Sequence, residues 1–387
     1  MIYFDAAATT LQKPSSVLRA VVQSMETCAN PGRSGHRPAM RAAETVYDCR
    51  CAAAELFGLT DPARVVFTQN ATHGLNIAIK SLLCGGGHAV ISGYEHNSAV
   101  RPLERLAERG VTYTAAHCPP FDPDGAYLAI LNALREDTRC VILNHVSNVF
   151  GFIQPLEMVD ALCARRGIPL IVDASQSAGV LPLDVSRLPG TAFVCMPGHK
   201  GLYGPQGTGI LLCCKDLPLY TVTEGGTGSL SLELHQPDFL PDALESGTLN
   251  VHGIAGLREG IRFAARCMAE IRERETALTA VLAEGISALP EAEMWCDTAC
   301  QSGVLSFRLR GMDPAEVGDA LAKNGICVRC GLHCAPMAHR SAGTLPEGTV
   351  RVSFSAFNTA DEVRRFLQAL EAVTKSAESA KNSPFSY

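Results

Sequence analysis

Between about residues 64 and 214 the chain alternates short apolar runs with stretches of helical spacing. Arg64-Val-Val-Phe-Thr, His88-Ala-Val-Ile-Ser, Val111-Thr-Tyr-Thr, Cys140-Val-Ile-Leu-Asn, Pro169-Leu-Ile-Val-Asp, Ala192-Phe-Val-Cys and Gly209-Ile-Leu-Leu-Cys read as strands. The segments 72–83, 98–109, 125–134 and 156–166 between them read as helices. Strands that are apolar on both faces and separated by helices predict a mainly parallel sheet covered on both sides, an α/β domain. After Gly253 the rhythm changes. Two helical stretches, 254–268 and 269–289, precede a strand at 303–309, a helix at 314–324, strands at 326–329 and 349–354, and a last helix at 359–374. That order predicts a smaller α+β domain. The expected division is a large domain over 15–253, a small domain over 254–375 that takes in the N-terminal segment 1–14, and a polar, flexible tail over 376–387.

With 387 residues the chain has length for two or three domains, and with 47% hydrophobic and 19% charged residues it has room for a sizeable core. A net charge of −6 without a long basic run argues against nucleic acid or an anionic membrane surface as the main partner. No stretch approaches the roughly 18 uninterrupted apolar residues of a membrane span. The opening Met1-Ile-Tyr-Phe-Asp lacks the basic and apolar regions of a signal peptide, so a cytoplasmic location is expected. There the sixteen cysteines stay reduced, and Cys140, Cys163 and Cys195, set in apolar runs, are expected to be buried as small hydrophobes. Cys327, Cys330 and Cys334 form C-x2-C-x3-C, but only His333 and His339 lie near enough to complete a ligand set, and no metal is expected.

Ligands of open parallel sheets bind beyond the carboxyl ends of the strands, which directs attention to the residues that follow each run. Gln69-Asn-Ala-Thr-His-Gly74 opens a helix with small and polar residues, and its free N–H groups with the Thr72 hydroxyl suit a phosphate. The other strand ends offer Gly93-Tyr-Glu-His96, His145-Val-Ser-Asn148, Asp173-Ala-Ser-Gln176 and Met196-Pro-Gly-His199-Lys200. The chain has only seven lysines, and six of them (13, 80, 215, 323, 375 and 381) read as solvated positions. Lys200 alone sits in a glycine-rich turn after a buried strand, where a desolvated amine can act as a Schiff-base nucleophile. An aspartate at a neighbouring strand end is what a pyridoxal phosphate (PLP) ring needs to keep its nitrogen protonated. Either residue alone is more economically a surface charge or a helix cap; together with Thr72 and His96 they point to a PLP site.

These pieces, with Asp5-Ala-Ala-Ala-Thr, Asn148-Val-Phe-Gly, Val172-Asp-Ala-Ser-Gln, Gly198-His-Lys, Glu245-Ser-Gly-Thr-Leu-Asn-Val, Gly331-Leu-His-Cys-Ala and Arg351-Val-Ser-Phe-Ser, occur in one order over nearly the whole chain. In that order the chain resembles PLP enzymes of fold type I in the class V aminotransferase group, and most of all the group II cysteine desulfurases and selenocysteine lyases. The resemblance implies that Lys200 would hold PLP as a Schiff base and later move the substrate's α-proton. Asp173 would pair with the ring nitrogen, Gln176 would bond the phenolic oxygen, and His96 would stack on the ring and take part in proton transfer. Thr72 and His199 would bind the phosphate, joined by Thr248 from the partner subunit of a homodimer, and Ala71 would be a further cofactor-binding residue. Asn148 would lie beside the ring and the substrate, and Arg351 would clamp the substrate carboxylate. Cys334 would attack the substrate sulfur and carry it as a persulfide towards an acceptor protein or small thiol, leaving L-alanine from L-cysteine. Its thiol, near His333 and Arg351, is expected to be acidified.

Three positions depart from the family pattern. Pro197 stands where a phosphate-binding serine is usual, Gly201 looks inserted after the lysine, and Leu332 replaces the first His of Gly-His-His-Cys. Cys327 and Cys330 are close enough in sequence to receive or divert the sulfur. The alternatives that keep PLP are a selenocysteine lyase acting on L-selenocysteine, a kynureninase-like lyase and a transaminase. A cysteine-rich sulfur or metal carrier on an inactive PLP fold is the non-enzymatic alternative.

Overall fold

The structure, a computed structural model, describes residues 1–32 and 34–381, with side chains up to 376. Seven strands form the main sheet in the spatial order Val65–Thr68, Gly209–Cys213, Thr191–Pro197, Leu170–Asp173, Thr138–Asn144, His88–Ser92 and Thr112–Ala116. The last five run parallel to one another, and Gly209–Cys213 is antiparallel to both of its neighbours. Every residue of most of these strands is buried, because side chains alternate between two separate cores. Val141, Leu143, Val172 and Val194 face the core packed by the Arg37–Phe57 and Leu156–Arg166 helices. Cys140, Ile142, Ile171 and Phe193 face the other, packed by the Ala71–Leu83 and Asn97–Ala107 helices. A sheet covered on both sides is what the near-continuous apolar runs require. Cys140, Cys163 and Cys195 are fully buried.

The second part is a four-stranded antiparallel sheet, ordered Arg329–Gly331, Thr349–Ser353, Val304–Leu309 and Ala292–Trp295, with the Pro314–Lys323 and Ala360–Lys381 helices packed on it. Ile2–Tyr3 pairs in parallel with Ile326–Cys327, and Phe4 enters this core edge-on to Phe354 at 5.1 Å. The stretch expected as one strand over 326–329 is thus two short strands in different sheets, Ile326–Cys327 and Arg329–Gly331. Residues 376–381, expected to begin a tail, extend the last helix, and 382–387 lie outside the described residues. Among the described residues no helix is long and apolar enough to cross a membrane.

The two helical stretches expected after Gly253 are one 37-residue helix, Val251–Ser287. Val251, Ile254, Leu257 and Ile261 belong to a core of the main sheet, whereas Leu278, Leu282 and Ile286 belong to the core of the four-stranded sheet. The passage from one core to the other therefore occurs inside a continuous helix. Between those two sets lies Glu275, whose buried carboxyl leaves no room for a side chain at Gly303. Burial pushes it up to about 8. The folded protein thus keeps a proton that the unfolded chain releases near pH 4.5, a contribution present in full below that value and lost as pH rises through about 8. Glu275→Gln is expected to shrink the fall in Tm between pH 5 and pH 9; an unchanged fall would show that Glu275 is not its source.

Candidate active site

The carboxyl ends of the parallel strands converge on one cleft. Ala71, Thr72, His96, Asn148, Asp173, Gln176, His199 and Lys200 all line it, together with Ser175 and Pro197. Thr248 does not: it is exposed in the loop before the Val251–Ser287 helix. Asp173 is buried at the last position of its strand, and one oxygen accepts the Ser175 N–H at 2.9 Å. His96 caps the Asn97–Ala107 helix. Its Nδ1 accepts the Ser98 N–H at 3.1 Å, so the ring proton sits on Nε2, and burial pulls the imidazole down to about 4. At pH 7 the ring is neutral.

Lys200 is pulled down to about 8, mainly by burial and further by Arg351, against opposition from Asp173. Its turn is held from behind by the N-terminal segment. The His199 carbonyl accepts hydrogen bonds from the Thr10 N–H at 3.1 Å, the Thr10 hydroxyl at 3.0 Å and Lys13 Nζ at 3.1 Å. His199 Nδ1 pairs with the Thr9 hydroxyl at 3.0 Å. Lys13, expected to be solvated, is instead partly buried, and burial lowers it to about 8. Gln176 Nε2 donates to the Ala7 carbonyl at 3.0 Å and keeps a second N–H.

The four-stranded sheet brings Arg351 to the cleft residue Asn148. Arg351, 2% exposed, donates from Nη1 to the Asn148 carbonyl at 2.8 Å and from Nη2 to Asp5 at 2.7 Å. Asn148 Nδ2 donates to the His333 carbonyl at 2.9 Å, and the Cys334 carbonyl accepts the Asn97 N–H, next to His96, at 2.8 Å. These bonds seat the Cys334 loop at the rim. His333 and Cys334 are both left-handed, at φ 49° and 56°, a conformation unfavourable for two consecutive residues that have side chains. The Cys334 side chain is exposed. His333 does not supply the positive charge expected beside it: the ring is buried, its Nε2 donates to the Thr349 carbonyl at 3.1 Å, and burial with Arg351 nearby holds it well below the usual range. Nor does Cys330 look like a sulfur acceptor. Its thiol lies against Gly318 and is pushed up to about 11 by burial. No group of three metal-ligating side chains is assembled among the described residues.

The cleft fits the cofactor that the sequence implies. The Ala71–Leu83 helix opens into it, and Asn70 caps only the His73 N–H, which leaves the first N–H groups to an anion beside Thr72. Asp173 offers a carboxylate, Lys200 an amine near neutral and His96 a neutral ring. Asn144 Oδ1 and Asn148 Oδ1, both on cleft residues, are buried without a partner. Pro197 brings neither hydroxyl nor N–H, so it could offer a phosphate no contact of either kind. Sequence reasoning assigned no role to Asp5, Lys13 or Glu95. Buried Glu95 accepts from the Ser92 hydroxyl and the Asn144 N–H, both at 2.6 Å, tying two strand ends below the cleft. Its place directly before His96 was the only signal available.

Residues 2–366 match the family described as aminotransferase class-V. A "Probable cysteine desulfurase" of Methanothermobacter thermautotrophicus is 33% identical over 386 residues, covering 96% of this chain and 94% of the relative. Another of that description, from Mycolicibacterium paratuberculosis, is 32% identical over 387 residues and longer: the match covers 97% of this chain but 56% of that protein. The apo structure of a cysteine desulfurase from Thermococcus onnurineus NA1 superposes with a TM-score of 0.88 at 31% identity, covering 97% of this chain and 95% of that one. With a family match over nearly its whole length and a fold and cleft that agree with it, the chain belongs to the class-V aminotransferase family.

Proposed function

We propose that the protein is a PLP-dependent cysteine desulfurase that converts L-cysteine to L-alanine and takes the sulfur onto Cys334. The observation that carries this reading is the gathering of Lys200, Asp173 and His96 in one cleft, with the exposed Cys334 thiol on a loop bonded to Asn148 of that cleft and to Asn97 beside His96. When bound, PLP would supply the electron sink that lets the substrate's α-proton leave and its Cβ–S bond break. Lys200 would anchor the cofactor and carry the α-proton. Asp173 would hold the ring nitrogen protonated, and Gln176 would bond the phenolic oxygen. Neutral His96 would cover the ring face and hold a proton on Nε2. Ala71, Thr72 and His199 would take the phosphate, while Arg351 would bind the substrate carboxylate beside Asn148.

Cys334 as thiolate would attack the substrate sulfur; the C–S pair stays on carbon, which takes up a proton. One Cys334 thiol and one cysteine thus give one alanine and one Cys334 persulfide, so atoms and electrons balance. A second thiol, on an acceptor protein or small molecule, would then remove the outer sulfur. We also propose a homodimer in which Thr248 reaches the partner's cleft. Thr248 lies outside the cleft of its own chain, and the nearby stretch exposes Leu232 and Leu234 almost completely, at 96% and 98%. A cytoplasmic setting agrees with sixteen unpaired thiols. The test is alanine and sulfide release from L-cysteine by the PLP-loaded protein with a reducing thiol. Equal amounts of both products are expected, and no alanine would overturn the reading.

A further inference from the structure

The reading of Arg351 as the carboxylate clamp leaves one feature unexplained: a carboxylate is already on it. Asp5 Oδ1 lies 2.7 Å from Nη2, and Nη1 is bonded to the Asn148 carbonyl. The guanidinium is almost wholly buried, while the Asp5 side chain is 20% exposed and so sits on the solvent side of the pair. Arg329 lies directly across the strand pair from Arg351, which makes this corner rich in positive charge. Among the described residues Asp5 is the only carboxylate bonded to Arg351.

We propose that Asp5 is a specificity-determining residue, an internal stand-in for the substrate carboxylate that keeps Arg351 in place while the cleft is empty and must yield Nη2 when substrate arrives. A buried guanidinium without an anion is costly, so a resident carboxylate preserves the clamp. The same carboxylate competes with every incoming one and repels it, which raises the threshold for weakly held monocarboxylates. Asp5 is placed for this by backbone as much as by charge. It bridges Ser353 on the strand that carries Arg351, and Ser353 Oγ accepts the Ala7 N–H at 2.9 Å.

The inference rests on Arg351 being the clamp, and the experiment separates the two. Affinities for L-alanine and for L-alaninamide, which lacks the carboxylate, are measured by calorimetry on the loaded wild type, Asp5→Asn and Arg351→Met, with folding checked by thermal melting. Asparagine keeps an oxygen acceptor for Nη2 and removes the competing charge. Asp5→Asn is expected to bind L-alanine about fivefold or more tightly, with L-alaninamide unchanged. If Asp5 merely props Arg351, the same variant binds L-alanine more weakly, and unchanged or weaker binding overturns the proposal. Should Asp5→Asn fold poorly, Asp5→Ser, which also removes the charge, is read by the same comparison. Arg351→Met is expected to lose more than tenfold for L-alanine; no loss there would remove the clamp itself.

Discussion

Replacing Cys334 with alanine is expected to lower alanine release from L-cysteine by about a hundredfold or more, with little change in Tm. The loop is fastened through main-chain groups, namely the His333 carbonyl on Asn148 and the Cys334 carbonyl on the Asn97 N–H, none of which the substitution removes. The thiol is exposed and not part of a core, so its loss leaves no cavity. Alanine also meets the same left-handed backbone cost that cysteine already bears at φ 56°. What disappears is the sulfur nucleophile, and with it the only route in the proposal by which the substrate's sulfur is pulled from Cβ. Alanine release by wild type and variant, with a reducing thiol present, checks this, and a variant with wild-type rates would exclude Cys334 as the attacking group. Selenium leaves carbon more readily than sulfur, so turnover of L-selenocysteine is expected to fall less. Persulfide mapping of the wild type is expected to find sulfur on Cys334 and not on Cys330, whose thiol is protonated and turned against Gly318.

The second large effect concerns Lys200. Lys200→Ala is expected to abolish covalent retention of PLP and to lower activity by about a thousandfold or more. Only the neutral amine attacks an aldehyde, and the lysine is pulled down to about 8. The rate at which the cofactor-free protein captures PLP, followed by visible absorbance, is therefore expected to rise as pH passes through about 8, not near the 10.5 of an ordinary lysine. A rise confined to pH above 10 would mean that the cleft does not desolvate the amine. Lys200→Arg is expected to fail equally, since a guanidinium stays protonated throughout.

Much of this site is legible in the chain because its residues follow directly on apolar runs. Asp173 ends a strand whose burial is written in Leu-Ile-Val, and Lys200 comes three residues after Pro197 closes the next. Strand ends of a parallel sheet share one edge, so local pattern is enough to gather them. What stays hidden depends on distant partners. Asp5 meets Arg351 across 346 positions, and Lys13 reads as an ordinary surface lysine until the His199 carbonyl is placed before it. The 37-residue helix divides in the reading because its apolar stripe serves two different cores, with Glu275 in the interval. The break at Val328 is equally obscure, since a kink between two sheets leaves no mark on alternation. His333 misleads for a related reason. Adjacency to Cys334 suggests a charged neighbour, but a reversed loop sends its ring to Thr349.

The seating of Asp5, Thr9, Thr10 and Lys13 against residues 199, 200, 351 and 353 has a consequence during synthesis. The ribosome delivers Asp5 some 346 residues before Arg351. A nascent chain can build the seven-stranded sheet and seat Thr10 and Lys13 on the His199 carbonyl early, yet Asp5 has no partner until the Thr349–Ser353 strand emerges. The Asp5–Arg351 pair is thereby the late step, and a polypeptide interrupted before that strand is left with a sheet but without this pair.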